Sequence, residues 1–280
     1  MNVKVASTRG FCFGVEDAIE IAEQAVDEHG KNRVTALGPV IHNQQVVDRL
    51  ESAGLNQSGE LETMEPGATI LIRSHGASPE TFKEAARRRL NVVDATCVLV
   101  KRAQNVVKQL HEEGYQVVMI GDKNHPEVRG VIGYAPNVIV VDKGDDLEKA
   151  IPYRERLGIV AQTTHSPEHV AAMIGEIAKR PFRELKIVNT LCLEVTRRQE
   201  AAVSLCNEVD VMFVLGGLHS ANTQELARLC REQGVDTHHL ETWTEFDPVM
   251  VAGKKVAGVT AGASTPEWVI EDFVNKLKVL

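Results

Sequence analysis

Aromatic residues make up only 4% of this chain: seven Phe, three Tyr and two Trp among 280 residues. So few rings argue against base-stacking platforms and carbohydrate-binding aromatic surfaces. Basic residues do not dominate either, since 31 Lys and Arg against 39 Asp and Glu leave a net charge of −8. An acidic chain is a poor candidate for sequence-wide nucleic-acid binding, although a local basic pocket remains open. No apolar run approaches the ~20 residues that span a bilayer, and residues 1–7 show no apolar signal-peptide core. A cytoplasmic protein with neither a nucleic-acid nor a membrane partner is expected. The phosphate-loop pattern G-x-x-x-x-G-K-[ST] is missing, and no G-x-G-x-x-G follows the first predicted strand. A phosphate-loop nucleotide is therefore excluded, and a dinucleotide site has no support. Cysteines number five, an odd count that does not suit a disulfide scaffold. Each reads as a small buried apolar residue, a nucleophile or a metal ligand.

What is present is an alternation of elements. With 43% hydrophobic residues, a chain of this length can bury a substantial core in one to three compact units. Short β-branched runs predict strands at residues 3–6, 34–37, 69–72, 92–93, 116–120, 138–141, 157–161, 186–188, 211–215 and 255–259. Helical patterns lie at 15–29, 44–53, 79–90, 100–114, 167–179, 196–206, 223–233 and 266–277. Continuously apolar strands alternating with helices imply parallel sheets covered on both faces. Ser78-Pro79-Glu80 and Ser166-Pro167-Glu168 read as a capping serine before a proline at the first helical position, and Ser264-Thr265-Pro266-Glu267 as a possible capping box. No low-complexity linker separates the units, so their connections must be short.

Three cysteines share one context. Cys12, Cys97 and Cys192 each follow a predicted strand and precede a predicted helix, at separations of 85 and 95 residues. That weak period marks three α/β units. Functional groups in open parallel sheets gather at the carboxyl ends of strands, and a helix N-terminus favours a thiolate. Three converging thiolates suit an iron–sulfur cluster or a zinc site, with one metal position left open. Cys206 and Cys230 fall inside helical patterns and read as packing residues.

His42, His75 and His125 also sit at the ends of predicted strands, where imidazoles can donate to an anion. His29, His111, His238 and His239 read as helix or surface residues. Gly216-Gly217-Leu218-His219-Ser220-Ala221-Asn222, Gly262-Ala263-Ser264 and Gln162-Thr163-Thr164 likewise follow strands, and small residues there let backbone N–H groups approach an anion.

These residues occur in order in a known pattern. The segments are Arg9-Gly10-Phe11-Cys12-Phe13-Gly14-Val15, Val40-Ile41-His42-Asn43, Ser74-His75-Gly76, Asp94-Ala95-Thr96-Cys97, His125-Pro126-Glu127-Val128, Gln162-Thr163-Thr164, Ser220-Ala221-Asn222 and Thr260-Ala261-Gly262-Ala263-Ser264. Together they make the chain resemble the LytB-type reductases of the non-mevalonate isoprenoid pathway, the 4-hydroxy-3-methylbut-2-enyl diphosphate reductases. The resemblance runs from Cys12 to Ser264.

It implies three small parallel-sheet α/β domains in a pseudo-threefold arrangement around a central iron–sulfur cluster. The implied divisions are 14–97, 98–190, and 191–280 plus 1–13. By motif match, Cys12, Cys97 and Cys192 hold a [4Fe–4S] cluster whose apical iron is open. His42, His75, His125, Ser220, Asn222 and Ser264 match the residues that hold the substrate diphosphate. Thr163 matches the residue near the substrate hydroxyl, and Glu127 the carboxylate that relays protons. The implied reaction removes an allylic hydroxyl with two electrons and two protons. No flavin or nicotinamide motif is visible, so the implied electron donor is a ferredoxin or a flavodoxin.

The chain departs from the family pattern at four places. Val98 stands where proline is usual, Val131 where threonine is common, Glu194-Val195 where Ala-Thr is usual, and Ala221 in place of a frequent serine. Three other readings stay open from residues alone: a paralogue reducing another allylic or aryl substrate, a non-catalytic iron–sulfur protein, and a zinc hydrolase.

Overall fold

In the computed structural model, which describes residues 1–58 and 60–280, strands and helices alternate along most of the chain. The first elements are β1 (Asn2–Val5), α1 (Phe13–His29), β2 (Val34–Leu37), α2 (Gln44–Ala53) and β3 (Leu55–Ser58). β4 (Thr69–Ile72), α3 (Pro79–Arg87), β5 (Asn91–Asp94) and α4 (Val98–Glu112) follow. Next come β6 (Gln116–Ile120), α5 (Pro126–Ile132), β7 (Ile139–Val141), α6 (Leu147–Ala150), β8 (Arg156–Ala161), α7 (Pro167–Ile177) and β9 (Glu184–Ile187). The chain ends with α8 (Leu193–Cys206), β10 (Val211–Leu215), α9 (Ala221–Glu232), β11 (Asp236–Leu240), β12 (Val256–Ala261) and α10 (Glu267–Lys278). Among the described residues, no helix is long and apolar enough to cross a membrane.

The strands form three four-stranded sheets, ordered β3-β2-β4-β5, β7-β6-β8-β9 and β11-β10-β12-β1. Every pairing is parallel. The order is the same each time: the second strand lies outside the first, and the third and fourth follow on the other side. β1 completes the last sheet from the start of the chain. In each sheet the crossovers reverse direction between two central strands: β2 and β4, β6 and β8, β10 and β12. Such a switch point leaves a crevice at the carboxyl ends of the two strands.

The central strands explain the pattern. β4 and β10 are buried throughout, as are the Val117–Ile120 part of β6 and the Leu157–Ala161 part of β8. They are covered on both faces, so they read as continuous apolar runs. Helices α4 and α5 pack Val100, Val107, Leu110, Val128 and Val131 against Val117, Met119 and Val160. In the third sheet, Phe213 sits at full burial against Phe273, with ring centroids 5.2 Å apart.

Two compact units are distinguishable, one of Met1–Glu16, Ile41–Arg49 and Leu193–Leu280, the other of Asp17–Val40 and Leu50–Cys192. The first contains the β11-β10-β12-β1 sheet and the second contains the other two sheets.

Helix starts obey the sequence at two of three expected places. The hydroxyls of Ser78 and Ser166 accept the N–H groups of Thr81 and His169, with Pro79 and Pro167 at the first turn. The third expectation is corrected: α10 starts at Glu267, and neither Ser264 nor Thr265 caps it. Ser264 Oγ donates to the His42 carbonyl at 3.1 Å and Thr265 Oγ1 to the Leu215 carbonyl at 3.0 Å. His238 and His239 belong to β11 and are half-buried, where helix or surface positions were expected.

Candidate active site

Each cysteine of the periodic set immediately precedes a helix: Cys12 before α1, Cys97 before α4 and Cys192 before α8. The equivalence extends to the hydrogen bonds. The Cys12 N–H donates to the Ala263 carbonyl at 3.2 Å, Cys97 to Ser74 at 3.0 Å and Cys192 to Thr163 at 3.0 Å. Those acceptors all lie two residues past the end of a third strand, β12, β4 and β8 respectively. Each cysteine loop is therefore stitched to the turn at its own sheet's switch point. The first strands repeat just as closely. His42, His125 and Ser220 lie five residues past the ends of β2, β6 and β10, and Gln44, Glu127 and Asn222 lie seven past them. One scaffold thus presents different side chains at matched positions.

In the unit of Asp17–Val40 and Leu50–Cys192, Glu127 and Thr163 form the centre. Glu127 is 2% exposed, in the first turn of α5. The Thr163 N–H donates to Oε1 at 2.7 Å, and the Thr163 hydroxyl donates to Oε2 at 2.7 Å. Burial pushes the Glu127 carboxyl up, while the two Thr163 bonds pull against it. Through the Thr163 carbonyl the same turn holds the Cys192 backbone. Cys97 lies within electrostatic reach of Cys192 and Glu127. Burial pushes its thiol up, the N–H groups of Leu99 and Val100 pull it down, and the charges of Cys192 and Glu127 push it up again.

His125 caps α5, its Nδ1 accepting the Glu127 N–H at 3.2 Å. A ring nitrogen that accepts carries no proton, so this bond puts the neutral ring's hydrogen on Nε2 as a donor. The His75 ring stands edge-on to it, with centroids 5.6 Å apart. The turn carrying His75 needs Gly76, which has φ +74° and whose Cβ would meet Gln104 Nε2 at 2.6 Å.

The other unit carries Cys12, His42, Ser220, Asn222 and Ser264. Ser220 caps α9, its hydroxyl accepting the Thr223 N–H at 3.4 Å. Gly217 lets the β10 turn approach the His42 carbonyl, which a Cβ there would strike. Asn222 is 5% exposed, and neither side-chain amide atom has a hydrogen-bond partner among the described residues. A buried amide left this way costs free energy unless a ligand completes it. Cys206 and Cys230 stand apart from these turns, buried in α8 and α9 beside Ala202, Leu205 and Met212.

The family model described as LytB protein matches residues 3–278. The chain belongs to the LytB family. Its relatives include a 4-hydroxy-3-methylbut-2-enyl diphosphate reductase of Pelobacter propionicus, 44% identical over 279 residues, covering 99% of this chain and 98% of that protein. A reductase of the same name from Aquifex aeolicus is 42% identical over 282 residues, covering 99% and 96%. Among solved structures, the E-1-hydroxy-2-methyl-but-2-enyl-4-diphosphate reductase of Plasmodium falciparum superposes with a TM-score of 0.94 at 29% identity, covering 99% of this chain and 88% of that one. An (E)-4-hydroxy-3-methyl-but-2-enyl diphosphate reductase, described as the terminal enzyme of the non-mevalonate pathway, matches at TM-score 0.71 and 41% identity, covering 100% and 99%.

The four LytB departures fall in different settings. Val98 is exposed at the first position of α4, while Val131 is fully buried in the α4–α5 core, where its methyl groups fill apolar space. Val195 is buried in α8 and Ala221 is half-buried at the start of α9. Sequence reasoning missed the matched offsets from the strand ends. Their signal was present in the distances 37 to 42, 120 to 125 and 215 to 220, but it needs the strand ends to be known.

Proposed function

We propose that this chain is a 4-hydroxy-3-methylbut-2-enyl diphosphate reductase. It would cleave the allylic C–O bond of (E)-4-hydroxy-3-methylbut-2-enyl diphosphate and form a C–H bond. Two electrons and two protons are consumed, water leaves, and isopentenyl and dimethylallyl diphosphates result. The observation that carries this reading is the buried Glu127–Thr163 pair on the turn that also holds the Cys192 backbone.

We assign Cys12, Cys97 and Cys192 as ligands of a [4Fe–4S] cluster. The donor set fits: three thiols, each directly before a helix and each anchored through its own N–H to an equivalent turn. When bound, the cluster supplies electrons and, through an iron that lacks a cysteine, a Lewis-acidic position for the departing oxygen. A ferredoxin or a flavodoxin is the proposed electron donor. The chain is proposed to work in the cytoplasm and to divide at 14–97, 98–190, and 191–280 plus 1–13. The three equivalent strand orders support that division.

The remaining work falls to this chain's side chains. Burial keeps a proton on the Glu127 carboxyl at pH values where an exposed Glu has lost it. Thr163 holds that carboxyl by both oxygens, and its hydroxyl can accept the proton as it passes on its own. The diphosphate takes no part in bond breaking, so its binding energy positions the allylic carbon. His42, His75, His125, Ser220, Asn222 and Ser264 are the proposed donors to it. His125 offers Nε2–H, and the Asn222 amide gains the partner it lacks. Ser264 must turn its hydroxyl away from the His42 carbonyl to join them.

Anaerobic reconstitution with iron and sulfide, then turnover of the allylic diphosphate with a chemical reductant, tests the reading. About four irons per chain, broad visible absorption and consumption of the diphosphate are expected. Bound zinc without visible absorption, or a cluster-loaded protein that leaves the diphosphate intact, would contradict it.

A further inference from the structure

A second group of ligating side chains lies outside that site, in the same unit as Glu127. Asp142 directly follows β7, His165 lies in the turn after β8, and His169 lies in the first turn of α7. One ligating atom from each lies within 4.8 Å of the others. Asp142 Oδ1 is 2.7 Å from His169 Nε2, and Oδ2 is 3.9 Å from His165 Nε2. The two imidazole centroids are 4.7 Å apart. The side chains are 35%, 17% and 17% exposed in the order Asp142, His165 and His169, so the cluster is shielded yet reachable.

We propose that Asp142, His165 and His169 form a binding site for a zinc-class divalent metal ion. Two imidazoles and one carboxylate are a donor set for zinc or its transition-metal neighbours. Calcium and magnesium prefer sites richer in oxygen. Tetrahedral zinc with bonds of about 2.0–2.1 Å separates its ligand atoms by about 3.3 Å. The observed 2.7 Å from Oδ1 to His169 Nε2 and 3.9 Å from Oδ2 to His165 Nε2 lie on either side of that spacing.

The carboxylate is anchored by the backbone of its own turn. The Lys143 N–H fixes Oδ1 at 2.8 Å, an outer contact of the kind that orients a ligand. The histidines flank fully buried Ser166, whose hydroxyl accepts the His169 N–H and sets the start of α7.

An ion there would tie the end of β7 to the turn after β8. That turn also carries Thr163, two residues before His165, so occupancy would restrain the backbone that holds Glu127. The site stands independently of the reductase reading.

The test uses cluster-loaded protein, so that the three cysteines before helices are occupied, and zinc alone as the probe. After dialysis, one zinc per chain beyond the iron is expected. Zinc-edge X-ray absorption should show nitrogen and oxygen at about 2.0–2.1 Å and no sulfur near 2.3 Å. Asp142→Asn and His169→Gln should each weaken zinc binding by at least the ~10–100-fold that an outer partner is worth, with iron content unchanged. No retained zinc, sulfur in the zinc shell, or undiminished binding in both variants would overturn the proposal. Should a variant lose its iron, the wild-type stoichiometry and shell decide alone.

Discussion

The two compact units build their turns on one scaffold and put opposite chemistry on it. In the unit of Asp17–Val40 and Leu50–Cys192, the position seven past a first strand is Glu127, and the position two past a third strand is Thr163. In the other unit the same offsets give Asn222 and Ala263. Where one unit has a buried carboxyl hydrogen-bonded to a hydroxyl, the other has a buried amide at the first offset and an alanine at the second. The first pair is the proposed source of the proton, whereas the Asn222 amide is a proposed donor to the anion. Position on the sheet fixes where a functional group stands, while the residue placed there sets its chemistry, a titratable carboxyl at Glu127 and a neutral amide at Asn222.

The cysteines are where this comparison breaks most visibly. Cys12 belongs to one unit, Cys97 and Cys192 to the other, yet all three share a hydrogen-bond pattern. Cys12→Ser, Cys97→Ser and Cys192→Ser should each remove most of the bound iron and sulfide. Cys206→Ala should keep the cluster, because that thiol is buried in apolar packing. Full iron in Cys12→Ser alone would end the equivalence between units.

Asn222 sharpens the contrast at intermediate effect. Losing a donor to an anion costs roughly 1.5–3 kcal/mol, so Asn222→Ala should weaken diphosphate binding about 10- to 150-fold with iron unchanged. Asn222→Asp, which brings the carboxylate of the matched Glu127 position, should weaken it further by repulsion. Competition by inorganic diphosphate measures both. Equal affinity across the series would remove Asn222 from the anion site.

Much of this organisation was legible in the sequence, and the reasons for the gaps are local. Strands covered on both faces, such as β6 and β10, announce themselves as apolar runs, and their predicted bounds match the observed ones. The edge strands β3 and β11 were missed because their sequences, Leu55-Asn56-Gln57-Ser58 and Asp236-Thr237-His238-His239-Leu240, carry neither an apolar run nor clean alternation. α5 was missed because seven residues starting at a proline are too few to show a helical period. The motifs placed every proposed site residue on a turn after a strand or at a helix start, but not which hydroxyls cap helices. Ser220 caps, while Ser264 bonds to a distant carbonyl, and both precede helices in sequence. The Asp142, His165 and His169 group was invisible because its members come together only when β7 and β8 flank β6.

A smaller effect follows from burial at Glu127. Its folded carboxyl is held above the ordinary value, so between the unfolded and folded pKa values the folded state binds the extra proton. That contribution is lost as pH rises through the window. Glu127→Gln, which has no charge to bury, should therefore gain thermal stability over the parent as pH rises from about 4.5 to neutrality. Each ~1 kcal/mol gained would raise Tm by roughly 2–4 °C. A constant difference across that range would mean that burial does not perturb the carboxyl.

The claim that the Glu127–Thr163 turn handles protons while the proposed anion donors, Asn222 among them, bind the diphosphate is tested most directly by Glu127→Gln in cluster-loaded protein. Gln keeps the size of the side chain and a carbonyl for the Thr163 N–H, but it has no proton to give. With a chemical reductant, turnover should fall by roughly 10²–10⁴, while iron content and the affinity for the allylic diphosphate stay near those of the parent. Turnover close to that of the parent, with the same substrate affinity, would contradict the account.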